Sequence, residues 1–193
     1  LARFQFENVA DDVEEEDGVC YYIFFWDHIH RSIGTMNRYM EWVSTSPYYY
    51  LEDGEIIRDK SFIDGRSGKS AFYEFAWYSS IVRYFEIDFP GKIVDAHYDL
   101  ISEMVAESKR EYQKQFGNDK FYLVFYPSWK DYEEEQLDQF KSYLVKKDID
   151  FIDLNKFMEY GSEHSLDGDP HPNANTNKEL AKELFNEYNK MKN

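Results

Sequence analysis

The chain is short of cysteine, of basic residues and of long apolar runs, and each shortage removes a class of function. Cys20 is the only cysteine in 193 residues, so neither a disulfide framework nor a cysteine-based zinc site is available. Lys and Arg total 22 against 38 Asp and Glu, a formal net charge of −16. Neutralising phosphates takes clustered cations, so nucleic acid is not an expected partner. No apolar run approaches the ~20 residues that a membrane-spanning helix needs. No charged-then-apolar signal segment opens the sequence. The single cysteine fits a reducing compartment, and cytoplasmic and cell-envelope locations both stay open.

What is present is apolar and aromatic. A hydrophobic share of 42%, with 19% aromatic residues, belongs to a packed globular protein rather than a disordered one. The length suits a single α/β domain over residues 1–193, or the later part of a larger one. No internal repeat and no low-complexity linker divides it.

Periodicity places the elements. Apolar residues at loosely helical spacing predict a helix from Leu1 to about Glu16, ended by Gly18. Val19–Trp26, VCYYIFFW, is continuously apolar, as a strand buried on both faces of a parallel sheet would be. DHIHRSIG follows as a loop, and about 37–69 reads as a loop-rich insertion, a lid or binding loop, with a short hairpin signalled by Asp53-Gly54 and Asp64-Gly65. Ser70–Phe85 predicts one helix with Phe72, Phe75, Ala76, Ile81, Val82 and Phe85 on its apolar stripe, and a second helix spans about Lys92–Phe116. Two further strands, Phe121–Tyr126 and Ile149–Leu154, and two further helices, Asp131–Lys147 and Asn175–Lys190, complete the pattern. That order is the one expected of a parallel sheet covered by helices. Three strands are few, and the first leaves an aromatic edge that something must cover.

Ligands of parallel α/β sheets bind beyond the carboxyl ends of the strands. The segments leaving those ends are Asp27–Arg31, Pro127-Ser128-Trp129 and the stretch that reaches Asp169 and His171. His171 lies between two prolines, which restrict the backbone on both sides. A histidine beside a carboxylate is equipped to take and return a proton near neutral pH. The plainer reading is that His-Pro-Asn only turns into the last helix, with Asn173 or Asn175 as its N-cap.

DGDPHPNANTNKELAKEL resembles the final motif block of SGNH/GDSL-type hydrolases, where an Asp shortly before His-Pro-Asn supplies two members of a Ser-His-Asp triad. VCYYIFFWDHIHR is similar to the central strand and following loop of a bacterial branch of that superfamily. The resemblance covers most of the chain from about Val19 onward. It implies a three-layer α/β/α, flavodoxin-like fold, lacking its first strands here, and ester hydrolysis or acyl transfer on a small, carbohydrate or lipid ester, with no cofactor. Carried over residue by residue, His171 is the general base and Asp169 orients it. The commoner family spacing falls on Gly168, which leaves Asp167 as second choice. Asn173 completes the motif. Asp27 and His28 lie where the family has a Gly-x-Asn-Asp block, so His28 is a candidate oxyanion donor, although the block's Asn is missing, and Asp27, Arg31 and Asn173 are candidates for oxyanion or substrate binding; the alternative is an Asp27–Arg31 pair within the loop. The family's Gly-Asp-Ser block is absent, and the expectation is a serine-bearing strand upstream of Leu1, in the rest of the same protein or a partner. GRSGKS, Gly65–Ser70, fails the phosphate-loop pattern because Ile63 stands where its first glycine belongs.

Two other readings compete. His28 and His30, two residues apart on an extended segment, would share a side and, with Asp27 and Asp167 or Asp169, suit zinc or manganese. Alternatively Trp42, Tyr48, Tyr49 and Tyr50 form a stacking platform for a glycan or a partner protein, without catalysis. His97 reads as a surface or core residue of a helix, and His164 as a residue lining the site without acting in it.

Overall fold

In the computed structural model, residues 18–127 and 132–191 are described. The helix expected over Leu1–Glu16 lies outside them. The chain divides into two compact units, one formed by Asp27–Met104 and the other by the chain on either side of that stretch. The architecture is mixed α/β around a three-stranded parallel sheet. Its first strand, β1, is Cys20–Phe24, shorter than the apolar run that predicts it.

The unit Asp27–Met104 begins with a correction. DHIHRSI is not a loop but a helix, α1 (Asp27–Ile33). Three local causes act together: an acid in the first turn facing the helix dipole, an Asp27–Arg31 pair at i,i+4, and Ile29 and Ile33 buried one turn apart. Gly34, at φ +54°, ends it in the left-handed conformation that glycine adopts at no steric cost. Helix α2 (Met36–Glu41) follows. The insertion then folds into an antiparallel hairpin, β2 (Pro47–Glu52) and β3 (Glu55–Ser61). Asp53 and Gly54, at φ 52° and 83°, form its two-residue turn, the geometry that favours an Asp-Gly pair.

Past a single helical turn, α3 (Phe62–Gly65), the single helix expected over Ser70–Phe85 proves to be two, α4 (Ser67–Trp77) and α5 (Ser80–Tyr84). The break is Ser79, whose extended backbone and side chain cap the second helix. The expected apolar stripe is also rotated. Ser70, Tyr73 and Ala76 are the buried positions, whereas Phe72, Phe75, Ile81 and Phe85 are exposed, Phe75 by 80%. Two hydrogen bonds set this rotation: Ser70 Oγ donates to the Phe62 carbonyl (2.9 Å) and Tyr73 Oη to that of Phe89 (2.8 Å). The unit's core joins Met36, Tyr39, Val43, Phe62, Tyr73 and Ala76.

Helix α6 (Asp95–Phe116) gives its residues up to Met104 to this unit and the rest to the other. It ends at Gly117, φ +67°. Strand β4 (Phe121–Phe125) then pairs in parallel with β1, from Cys20 opposite Phe121 to Phe24 opposite Phe125. After α7 (Glu134–Lys146), opened by a Glu133–Gln136 capping box, β5 (Asp150–Asp153) joins the other edge of β4. The sheet order is β1-β4-β5. Alternation divides its side chains between two faces. Phe24 and Phe125 meet Phe140 of α7, at ring separations of 5.2 and 6.0 Å. On the opposite face Val124, Ile152 and Leu154 pack with Leu180, and Tyr21 and Tyr122 with Tyr188. Leu180 and Tyr188 belong to the last helix, α8 (Ala174–Met191). Ahead of α8 the expected loop carries a small hairpin, β6 (Ser165–Leu166) and β7 (Asp169–Pro172), turning at Gly168, φ +71°.

Candidate active site

The short β6–β7 hairpin places Asp169 and His171 on one side of β7, because side chains two apart on a strand point the same way. Asp169 Oδ1 lies 2.5 Å from His171 Nδ1 and also accepts the His171 backbone N–H at 2.9 Å. These two bonds from His171 hold the Asp169 carboxyl below its ordinary range. His171 keeps 74% of its side chain exposed, and Asp169 47%. With Nδ1 turned to the carboxylate, the ring's other nitrogen, Nε2, is left for proton transfer. Asp167 sits in the turn of the hairpin, exposed, and among the described residues it makes no hydrogen bond to His171.

The neighbours of this pair are structural. Asn173 caps α8: its Oδ1 accepts from Thr176 N (3.0 Å), while Nδ2 donates to the carbonyls of Glu163 (2.9 Å) and Ser165 (3.2 Å). His164 accepts the Gly161 N–H at Nδ1 (3.0 Å) and offers its carbonyl to Thr176 Oγ1 (2.9 Å). Both residues tie the hairpin to the first turn of α8 and so fix where Asp169 and His171 stand. Ser128 and Trp129, expected at the end of β4, lie outside the described residues.

Comparison of this chain with family models, with curated proteins and with solved structures finds no match. The site therefore rests on its own geometry.

Asp27, His28 and Arg31 belong to the other unit. The two oxygens of Asp27 are divided between arginines, Oδ2 accepting from Arg31 Nε and Oδ1 from Arg38 Nε at 2.6 Å. Arg38 also binds Glu41 (2.6 Å), and Arg31 lies 4.9 Å over the Trp42 ring. This is an ion network along two helices, with the Asp27–Arg31 pair at its centre. Burial, followed by the charge of Arg31, pushes the His28 imidazole down to about 4 against the opposing pull of Asp27. His28 is thus neutral at pH 7.

The metal alternative needed His28 and His30 on one side of an extended chain. On a helix, residues two apart diverge by about 200°, so α1 separates them. Among the described residues no group of three or more His, Cys, Asp or Glu side chains is gathered to hold a metal ion. No helix described is long and apolar enough to cross a membrane.

The tyrosines of the insertion stand differently. Tyr48, Tyr49 and Tyr50, on β2, line a cavity of about 360 Å³ together with Arg66, Lys69 and His97. Trp42 is not among its lining residues. Arg66 and Lys69 lie within the GRSGKS segment, which fails the phosphate-loop pattern. His97, which reads as an ordinary helix residue, is the third nitrogen base of that wall.

Proposed function

We propose that the chain is a serine-type ester hydrolase or acyl-transfer domain related to the SGNH/GDSL hydrolases, with His171 as general base and Asp169 as the residue that orients it. The observation that carries this reading is the 2.5 Å contact between Asp169 Oδ1 and His171 Nδ1, in a hairpin that runs directly into α8. A carboxylate on Nδ1 holds the proton there, so that Nε2 presents a lone pair to a nucleophile.

In the proposed reaction His171 Nε2 removes the proton of a serine hydroxyl as its oxygen attacks the ester carbonyl. Asp169 stabilises the imidazolium formed. Collapse of the tetrahedral intermediate expels the alcohol, which takes the proton back from Nε2 and leaves an acyl-serine. Water, or an acceptor hydroxyl in a transferase, then repeats the cycle and releases the acyl group. Among the described residues no serine hydroxyl bonds His171, and the reading assigns the nucleophile to a part of the protein outside them. The same reading takes the parallel β1-β4-β5 sheet, with α7 on one face and α8 on the other, as the later strands of a flavodoxin-like, three-layer domain.

A fluorophosphonate that traps activated serines tests the scheme directly. Full-length protein should carry one covalent adduct by mass spectrometry, lost in His171→Ala, together with turnover of p-nitrophenyl acetate. Turnover that survives His171→Ala, or no adduct on any serine, removes this mechanism.

A further inference from the structure

The residues lining the cavity all belong to the unit Asp27–Met104 and include neither Asp169 nor His171. In a chain of net charge −16 its wall brings together Arg66, Lys69 and His97 against one carboxylate, Asp99. Arg66 is held in place without an acid. Its Nη1 donates to the Ile33 carbonyl (2.8 Å) and its Nη2 to that of Gly34 (2.5 Å). Phe62 lies 4.4 Å and Tyr73 5.3 Å from the guanidinium carbon, with Tyr39 and Tyr48 next at 5.7 and 5.9 Å.

Carbonyl dipoles and ring faces moderate a cation but do not neutralise it. Among the described residues neither Arg66 nor Lys69 has a carboxylate within ion-pair distance, and the buried Nε of Arg66 has no hydrogen-bond partner. Burial accordingly lowers the pKa of both, and the charge of Arg66 lowers that of Lys69 further. A desolvated, unpaired cation is expensive, and an incoming anion relieves that cost. Lys69, three residues after Arg66, lies 5.4 Å over the Tyr73 ring, and both residues line the cavity. His97 takes the Val94 N–H at Nδ1 (3.3 Å), which leaves its proton on Nε2 as a further donor.

We propose that this cavity binds a sugar bearing an oxyanion, a carboxylated or phosphorylated monosaccharide, with Arg66 and Lys69 taking the anionic group and the tyrosines of β2 taking the ring. Its volume falls at the small end of the ~300–1,000 Å³ typical of ligand sites, which suits one ring rather than a long chain. Tyr48 and Tyr50, with ring centroids 5.7 Å apart, present apolar faces against which the C–H side of a sugar packs. Asp99 explains why a bare anion fits less well. A carboxylate opposes an inorganic ion but accepts hydrogen bonds from sugar hydroxyls. An uncharged or cationic ligand would leave Arg66 and Lys69 uncompensated.

Titration of the ¹⁵N-labelled full chain with glucuronate, glucose 6-phosphate, inorganic phosphate and glucose, followed by amide shifts, tests the proposal. The expected result is saturable shifts at Tyr48–Leu51, Arg66–Lys69 and Ala96–Leu100 with at least one acidic sugar, and none with glucose. The tighter of glucuronate and glucose 6-phosphate identifies the carboxylate or the phosphate as the natural group. Lys69→Glu, which leaves the bonds of Arg66 to the Ile33 and Gly34 carbonyls intact, should weaken binding by about tenfold or more. Three outcomes overturn the proposal: no saturable shift with either acidic sugar, affinity unchanged in Lys69→Glu, or inorganic phosphate binding as tightly as the sugar phosphate.

Discussion

Gly34 and Arg66 are fitted to one another. A Cβ on Gly34 would lie 2.6 Å from Arg66 Nη2 and 2.7 Å from the Phe62 ring, and the bare backbone is what lets the guanidinium reach the Gly34 carbonyl. Gly34 also holds φ +54°, so its missing side chain serves both the end of α1 and the seat of Arg66. Gly54 has the same left-handed backbone, φ +83°, but nothing within 4 Å of a Cβ. Both Ala substitutions incur backbone strain, and only Gly34→Ala adds a clash. We expect it to be less stable than Gly54→Ala by about 1–3 kcal/mol in urea denaturation. Equal losses would mean that Arg66 moves aside freely.

The Asp169 carboxyl should titrate below its ordinary range, because His171 donates to it from backbone and ring. A depressed carboxyl pKa contributes stability above the unfolded value and loses it as pH falls through the folded one. Side-chain ¹³C NMR across the acid range should show the low midpoint in the native chain. In His171→Ala the ring's share disappears and the midpoint should rise, while the backbone bond keeps it from returning fully. A midpoint that does not move would mean that the ring contact contributes nothing in solution.

Ester turnover, if the proposed function holds, should fall by about 10²–10⁴ in both His171→Ala and Asp169→Asn. The paired losses should not add, since the two residues act as one unit. Asp167→Asn should leave turnover nearly unchanged, for among the described residues it is Asp169, not Asp167, that bonds the ring. A larger loss in Asp167→Asn than in Asp169→Asn would reverse the assignment of the orienting carboxylate.

His28 predicts a pH dependence of opposite origin. Its folded pKa, about 4, lies below the ~6.5 of an unfolded histidine, so the unfolded chain binds the extra proton between those values. Stability is then fully present above pH ~6.5 and declines as pH falls toward 4, by about 2 kcal/mol at pH 5 from this group alone. Urea titrations at pH 7 and pH 5 should show a smaller difference in His28→Gln than in the native chain. An identical difference would show that His28 is hydrated in solution.

Burial raises the Cys20 thiol to about 11, and the thiolate is the reactive form. At pH 8 the native chain should react with a disulfide reagent about a hundredfold more slowly than the urea-unfolded chain. Comparable rates would place β1 in exchange with an open form.

The sequence was most legible where one local signal decided the outcome. The runs CYYIF and FYLVF are short, apolar and aromatic, as a strand in a sheet is, although only Phe24 of the first is buried. Asp53-Gly54 announced its hairpin because an Asp-Gly pair suits two consecutive left-handed residues. DHIHRSIG misled because its polarity hid a pair of isoleucines at helical spacing and an acid–base pair at i,i+4. The stripe Phe72–Phe85 misled in the opposite direction. Hydrophobicity favoured Phe75, but the orientation of α4 is set by the hydrogen bonds of Ser70 and Tyr73 to distant carbonyls, which no pattern displays. The Asp169–His171 pair was readable because both partners are two residues apart. Arg66, Lys69 and His97 were not, since His97 comes from a different helix and only the fold sets it beside α4.

Asp27–Met104 is one uninterrupted stretch between two strands that pair in parallel. A crossover between such strands needs only about a dozen residues, and this one is many times longer. Its length is therefore not dictated by the sheet. The residues that line the Tyr48–Arg66–His97 cavity and those that pair the strands thus lie in separate parts of the sequence.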